Sequence, residues 1–413
     1  MIKLFTRFLK ATALLSILPF LVKSQGFQVN VAGQKQISMG GTGTGFVSDG
    51  ATIFYNPGGM SFLKQNSISL GSSPILLRVA FKSAPPSNNS YHFGTNTPPV
   101  QGYAVFGPRS GAFKFGIGIY NPFGGSANWG NGWVGKYALE KLDLKATFIQ
   151  PTLSIKLSPR IAIGGGFVFG LGYVDLQKAI PLQDSTGTDG QANLTSHASG
   201  FGYNLGLYYQ ATDNFSVGIS YRSEVKMKSN NGLANFMVPG SLKSSFPSPN
   251  SFTNTLPLPP TITLGFGYRP SKPLILTFDV NYIGWSLYKS LEFDFGQTTP
   301  NLPNSISSRN YKDAFDLRLG TNYAFSDQFS LRAGLAYGAT SIRDGYVTPE
   351  TPDANRIGLS TGFGYSFSKH WVIDASFLYE SIQSRFQTNI ETGLSGTFKS
   401  NVYVPGIAIT YRF

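Results

Sequence analysis

"GFGYNLGLYYQ", residues 200–210, alternates without a break. Phe201, Tyr203, Leu205, Leu207 and Tyr209 carry one face, and Gly202, Asn204, Gly206, Tyr208 and Gln210 the other. Successive side chains of a strand point to opposite faces, so this is a strand with one greasy face and one small or polar face. "TITLGFGYR" (261–269), "FDLRLGTNYAF" (315–325) and "RIGLSTGFGYSF" (356–367) read the same way.

The connections between such segments have a rhythm. Short turns fall at 107–111, 158–160, 211–214, 269–273, 326–328 and 368–370. Longer polar loops lie between them, at about 83–98, 122–143, 178–197, 228–257, 295–311, 342–354 and 387–397. Six short turns alternating with seven long loops predict fourteen antiparallel strands, with both termini at the short-turn end. An even strand number, short turns on one side and long loops on the other describe an all-β, 14-stranded antiparallel transmembrane β-barrel of the outer-membrane type. A sheet in lipid must close, because a free edge leaves backbone N–H and C=O groups unpaired.

Composition fits this reading. Only 13% of the 413 residues are charged, about half the ~25% of soluble domains. Gly, Ser, Thr, Asn and Gln fill the wet face instead. There is no Cys, which excludes thiolate metal sites, disulfides and Cys nucleophiles. Lys and Arg exceed Asp and Glu but are scattered, with no basic patch interleaved with aromatics, so nucleic acid is not an expected partner. The only histidines are His92, His197 and His370, and no Ser-His-acid or His-Asp cluster is visible. Neither an enzyme nor a cofactor or metal site is expected.

The first residues read as a targeting signal. Lys3, Arg7 and Lys10 precede the apolar run "ATALLSILPFLV" (11–22), which is too short for a spanning helix of ~20 residues. Val22 and Ser24 are small enough for cleavage near Ser24–Gln25, so residues 1–24 are expected to be a secretory signal peptide.

Several stretches, in order and spacing, resemble one known family. They include "GFQVN" (26–30), "SMGGTGTGFVSDGATIFYNPGGM" (38–60), "NLGLYYQATDNFSVGISYRSEVKMK" (204–228) and "PPTITLGFGYRP" (259–270). The chain resembles the FadL-type outer-membrane transporters of long-chain fatty acids and aromatic hydrocarbons. The resemblance implies residues 25–63 as an N-terminal hatch plugging the lumen, and residues 64–413 as the barrel. It implies passive passage of hydrophobic molecules across outer-membrane lipid, with sideways exit through the wall. A general diffusion porin or a surface-exposed structural or adhesin barrel is the alternative. A monomer is expected.

The family's hatch carries an Asn-Pro-Ala motif; the matching residues here are Asn56, Pro57 and Gly58, the third departing from the pattern. Gly at that position loosens the backbone, whereas Pro57 fixes its own φ and holds Asn56 extended. By the family's N-terminal pattern, Phe27 reaches into an inner pocket. Phe123, Trp129, Trp133 and Tyr137 fall in the predicted loop 122–143 or beside it, and are expected to offer an exposed aromatic landing surface. By alternation, Arg318 and Arg332 face the lumen, as candidates to meet a substrate carboxylate or to pair with Asp279, Asp316 or Asp374.

Overall fold

The structure of the chain, a computed structural model, describes residues 27–29 and 31–413; the expected signal peptide lies outside the described residues. Twenty hydrogen-bonded segments make one sheet. β1 (Ser67–Ser72) and β2 (Ile75–Ser83) form the first stave of a wall, and β3 (Ser90–Thr97) and β4 (Val100–Phe106) the second. β5 (Phe113–Asn128), β6 (Lys141–Lys156), β7 (Ile161–Gln183) and β8 (Asp189–Gln210) are single staves. Four staves are again double: β9 (Phe215–Arg222) with β10 (Val225–Met237), β11 (Asn250–Leu258) with β12 (Thr261–Tyr268), β13 (Leu274–Ile283) with β14 (Ser290–Phe295), and β15 (Ser305–Ser308) with β16 (Ala314–Ala324). β17 (Phe329–Gly338), β18 (Arg356–Ser366), β19 (Trp371–Thr388) and β20 (Ser395–Arg412) complete the set. Six staves are thus double, so the twenty segments make fourteen antiparallel staves.

The wall closes on itself. β1 pairs with β20, Ser67 opposite Arg412, and the Phe413 amide donates to the Asn66 carbonyl at 3.1 Å. All six expected short turns join staves at one end. The alternation sets the faces: Phe201, Leu205, Leu319, Leu359 and Ile407 point outward and are exposed, whereas Asn204, Tyr208, Asp279 and Arg318 are buried inside. No helix among the described residues is long and apolar enough to cross a membrane.

At the other end the sheet runs further than the sequence suggests. The expected loops 178–197 and 228–257 are largely strand: β7 and β8 form a hairpin with only residues 184–188 between them, and β10 continues to Met237. Residues 90–97 and 122–128, also expected in loops, belong to β3 and β5. Beyond the lipid both faces of a strand can meet polar surroundings, so the hydrophobic contrast fades while the hydrogen-bond ladder continues.

Residues 31–63 lie inside the bore, almost all of them buried. Two single-turn helices, α1 (Gln34–Ile37) and α2 (Thr52–Tyr55), and a 3₁₀ stretch at Pro57–Phe62 are the only regular elements there. Inward side chains of the wall bond many of this segment's polar groups. Asp279 accepts the Gly43 and Thr44 amides at 3.0 and 3.1 Å, and Arg318 donates to the Gly41 carbonyl at 3.0 Å. Ser360 accepts the Gly40 amide, Ser216 donates to the Gly45 carbonyl, and Arg222 donates to the Phe54 carbonyl. Gly40 and Gly41 both have positive φ, the left-handed region that favours glycine.

Candidate functional site

Asn56 ties the inner segment to itself and to the wall. Its side-chain amide donates to the Thr44 carbonyl at 2.9 Å and the Leu207 carbonyl at 3.0 Å, and its side-chain oxygen accepts the Gly58 amide. Pro57 starts the 3₁₀ stretch, where a missing N–H costs nothing. Gly58 lies against the wall so closely that a Cβ would meet the Gly206 carbonyl oxygen at 2.5 Å. The departure from the Asn-Pro-Ala pattern therefore has a local steric reason: two backbones touch where Gly58 faces Gly206.

Phe27 packs among aromatic rings. Its centroid is 4.9 Å from Trp285, 6.2 Å from Phe123 and 6.0 Å from Tyr288, all edge-to-face. This cluster separates two chambers. Chamber I, about 100 Å³, is lined by Leu142, Leu176, Met227, Phe252 and Leu258, with Arg309, Tyr311 and Glu350. Chamber II, about 350 Å³, is lined on one side by Val31, Ile75, Leu77, Val402 and Val404, near the wall by Thr95, Thr97, Asn121 and Gly124, and at one end by the charged Asp353, Arg356 and Glu380. Phe27, Phe123, Leu144 and Ala146 belong to both linings.

Chamber II meets an interruption in the wall. β4 and β5 pair only from Gly102 opposite Ile119 to Phe106 opposite Phe115. Past Ile119, β5 shifts register between Tyr120 and Phe123 and is laddered only to β6, while β3 is laddered only to β2. Pro122 lacks an N–H and sits at this bulge, where a proline is tolerated in a sheet. Residues 27–29 partly cover the free edge: Val29 donates to the Pro122 carbonyl at 2.8 Å, and Gly124 donates to the Phe27 carbonyl at 3.2 Å. The Val100 amide reaches across to the Asn121 side chain at 3.2 Å.

Other expected residues are placed differently. Phe123, Trp129 and Trp133 are buried at 4%, 8% and 2% exposure, not displayed as a landing surface. Trp129 and Trp133 stack at 4.3 Å, with Phe93 at 4.6 Å from Trp129 and Phe81 at 5.8 Å from Trp133. Their glycine-rich surroundings, which read as an open loop, instead let the loop fold inward over these rings. Only Tyr137 of that set is exposed. Arg318 and Arg332 do face inward but line neither chamber. Arg318 is bonded to Asp316 at 2.9 Å and to Gly41; Arg332 is bonded to Asp374 at 2.7 Å, Asn322 and Ser330. Arg318 pairs along its own strand and Arg332 pairs across to β19, so both guanidinium groups are already engaged by carboxylates.

Sequence reasoning missed the charged end of chamber I. Arg309 pairs with Glu350 at 2.8 Å, beside Tyr288 and Tyr311. Lys178 lies close enough for both charges to act on it; burial lowers its proton affinity below that of an ordinary lysine, and Glu350 pulls the other way. These residues come from β7, the stretch before β16 and the loop after β17, so no local motif marks them.

A closed fourteen-stave wall with a filled bore and two adjoining chambers, one of them reaching a gap in the wall, defines an outer-membrane transport barrel. The chain belongs to the outer membrane protein transport protein (OMPP1/FadL/TodX) family, which it matches over residues 16–413. It is 23% identical to a long-chain fatty acid transport protein of Salmonella typhi, covering 92% of this chain and 93% of that one. It is 23% identical to a 47 kDa outer membrane protein of Pasteurella multocida, covering 99% of each. Among solved structures it resembles a Pseudomonas aeruginosa FadL homologue (TM-score 0.84, 18% identity, 94% and 100% of the two chains). It also resembles the Pseudomonas putida toluene transporter TodX (TM-score 0.71, 16% identity, 94% and 99%). Members of the family are transporters, and an outer-membrane location follows from the family and the barrel together.

Proposed function

We propose that the chain carries hydrophobic molecules, such as long-chain fatty acids or related lipophilic compounds, passively across the outer membrane. The substrate enters chamber I, passes Phe27 into chamber II, and leaves sideways between β3 and β5 into the lipid. Each buried methylene stabilises the bound state by about 0.8 kcal/mol, so an apolar lining retains a greasy solute where a wet pore would not. Concentration difference supplies the drive. The observation that carries this reading is the largely apolar chamber I adjoining the mixed chamber II at Phe27, with chamber II leading to the stretch where β5 loses its ladder on one side.

The energetics favour a small gate. Residues 31–63 act as the hatch and are held by many bonds to the wall, each worth about 1 kcal/mol net. Residues 27–29 are held by two backbone bonds and ring contacts. Displacing those few residues joins the chambers and uncovers the edge at a cost of a few kcal/mol, with the rest of the hatch in place. The unit of function is the monomer, since chambers, gate and exit all come from one chain.

The test is uptake of radiolabelled oleate and toluene into proteoliposomes, with conductance in planar bilayers measured on the same preparation. Saturable uptake with an electrically quiet membrane supports the proposal. A large, steady open current with no preference for lipophilic solutes overturns it in favour of a diffusion porin.

A further inference from the structure

We propose that a buried polar cavity between the hatch and the wall binds one small inorganic anion of chloride's size. The cavity is distinct from both chambers, and the proposal does not depend on the transport reading.

The cavity holds about 30 Å³, and Thr44 and Tyr55 of the hatch, Arg222, Thr263 and Asn281 of the wall, and Gln28 are among its lining. A single water needs about 10–15 Å³, so there is room for one small ion and none for an alkyl chain. Three hydrogen-bond donors on this lining have no partner: Nε of Arg222, Nδ2 of Asn281 and the Tyr55 hydroxyl. Their residues are only 9%, 5% and 5% exposed. The bonds these side chains do make fix which atoms are left over. Arg222 donates through Nη2 to the Phe54 carbonyl at 2.7 Å, and its guanidinium carbon lies 3.7 Å from the centroid of the Phe54 ring. The Asn281 side-chain oxygen accepts the Thr263 hydroxyl at 2.7 Å, which leaves its NH2 unused.

Charge decides what fills the cavity. Among the described residues no carboxylate forms an ion pair with Arg222, and residues 1–26 and 30 contain no Asp or Glu. Arg318, the other cation on the lining, is engaged by Asp316. Asp279 accepts the Gly43 and Thr44 amides through one oxygen; its other oxygen has no partner, but Asp279 does not line the cavity. A buried guanidinium without a counter-charge is costly, and an anion removes that cost. One anion accepts from all three donors, whereas one water accepts two hydrogen bonds and leaves a donor orphaned. Gln28, whose side-chain oxygen is also unpartnered, lines chamber II as well, so the site adjoins the gate segment. Turning that amide over offers its NH2 as a fourth donor. The anion thus bonds hatch and wall together and favours the seated hatch.

The experiment follows thermal unfolding of the full chain in a non-ionic detergent by near-UV circular dichroism. Sodium chloride, sodium bromide and sodium gluconate are compared at equal ionic strength, gluconate being too large to enter. The halides should raise the midpoint saturably relative to gluconate. Crystals grown in bromide should show an anomalous peak within hydrogen-bond distance of Arg222 Nε and Asn281 Nδ2. N281D sets a carboxylate oxygen where Nδ2 stands, and this built-in anion should abolish the halide-dependent shift. Y55F, which removes one donor and no bond, should lower the halide affinity and serves if N281D does not fold. Equal midpoints in halide and gluconate, or water alone in the cavity of bromide crystals, overturn the inference. So does an undiminished halide shift in folded N281D, which would come from elsewhere on the protein. The transport reading stands under every one of these results.

Discussion

Gly58 shows how one atom can matter in a filled bore. Gly58→Ala places a methyl group against the Gly206 carbonyl, a backbone atom that cannot rotate away. Overpacking of this kind costs about 1–3 kcal/mol, so the variant should unfold at lower temperature in heat-modifiability gels; an unchanged midpoint would show that the contact has room to relax. Phe27→Ala removes the partition between the chambers and should raise uptake of lipophilic solutes in proteoliposomes; unchanged or reduced uptake would deny it a gating role. Arg332→Ala strands Asp374, whose carboxylate is buried and bonded to it at 2.7 Å. Breaking a buried pair costs about 3–5 kcal/mol, which chemical denaturation of the barrel in detergent would detect. The sequence showed that Arg318 and Arg332 face inward, because alternation dictates it. Alternation also puts Asp316 on the face of Arg318, two positions away on β16, but that Arg332 meets Asp374 depends on register and rotamers across strands.

The strands were legible where lipid imposes contrast and illegible where it does not. Every short turn was readable from its Gly, Pro, Asn and Ser residues, because the greasy faces on either side end there. Above the membrane, β7, β8 and β10 keep their ladders without that contrast, and they read as loops. The gap beside β5 did leave a trace: "NPFGG", residues 121–125, places Pro and two Gly inside an alternating run. Those residues mark a bulge or an edge in a strand, although here they resembled the opening of a loop. Cysteines introduced at Thr95 and Gly124, in a chain with no others, flank chamber II at this gap. Joining them with a bifunctional maleimide should stop uptake of lipophilic solutes, and cleaving a reducible linker should restore it. Undiminished uptake by the cross-linked protein would place the exit elsewhere.

The filled bore makes the barrel and its N-terminal segment one thermodynamic unit. Asp279, Arg318, Asn204, Ser216 and Ser360 come from different staves and all serve residues 40–56. Deleting residues 25–60 should leave a wall held by its own ladders but with a wet lumen, so liposomes carrying it should swell in small sugars. If the deletion abolishes barrel formation, the segment is part of the wall's folding core and not a separable hatch. Closure of the wall adds a constraint of order in time. The seam lies between β1 and β20, and β20 follows the other nineteen described segments in chain order, whereas the stopper precedes them all. The ring cannot be sealed until its contents have long existed, so the staves have a core to wrap around, like a cask built about its own bung.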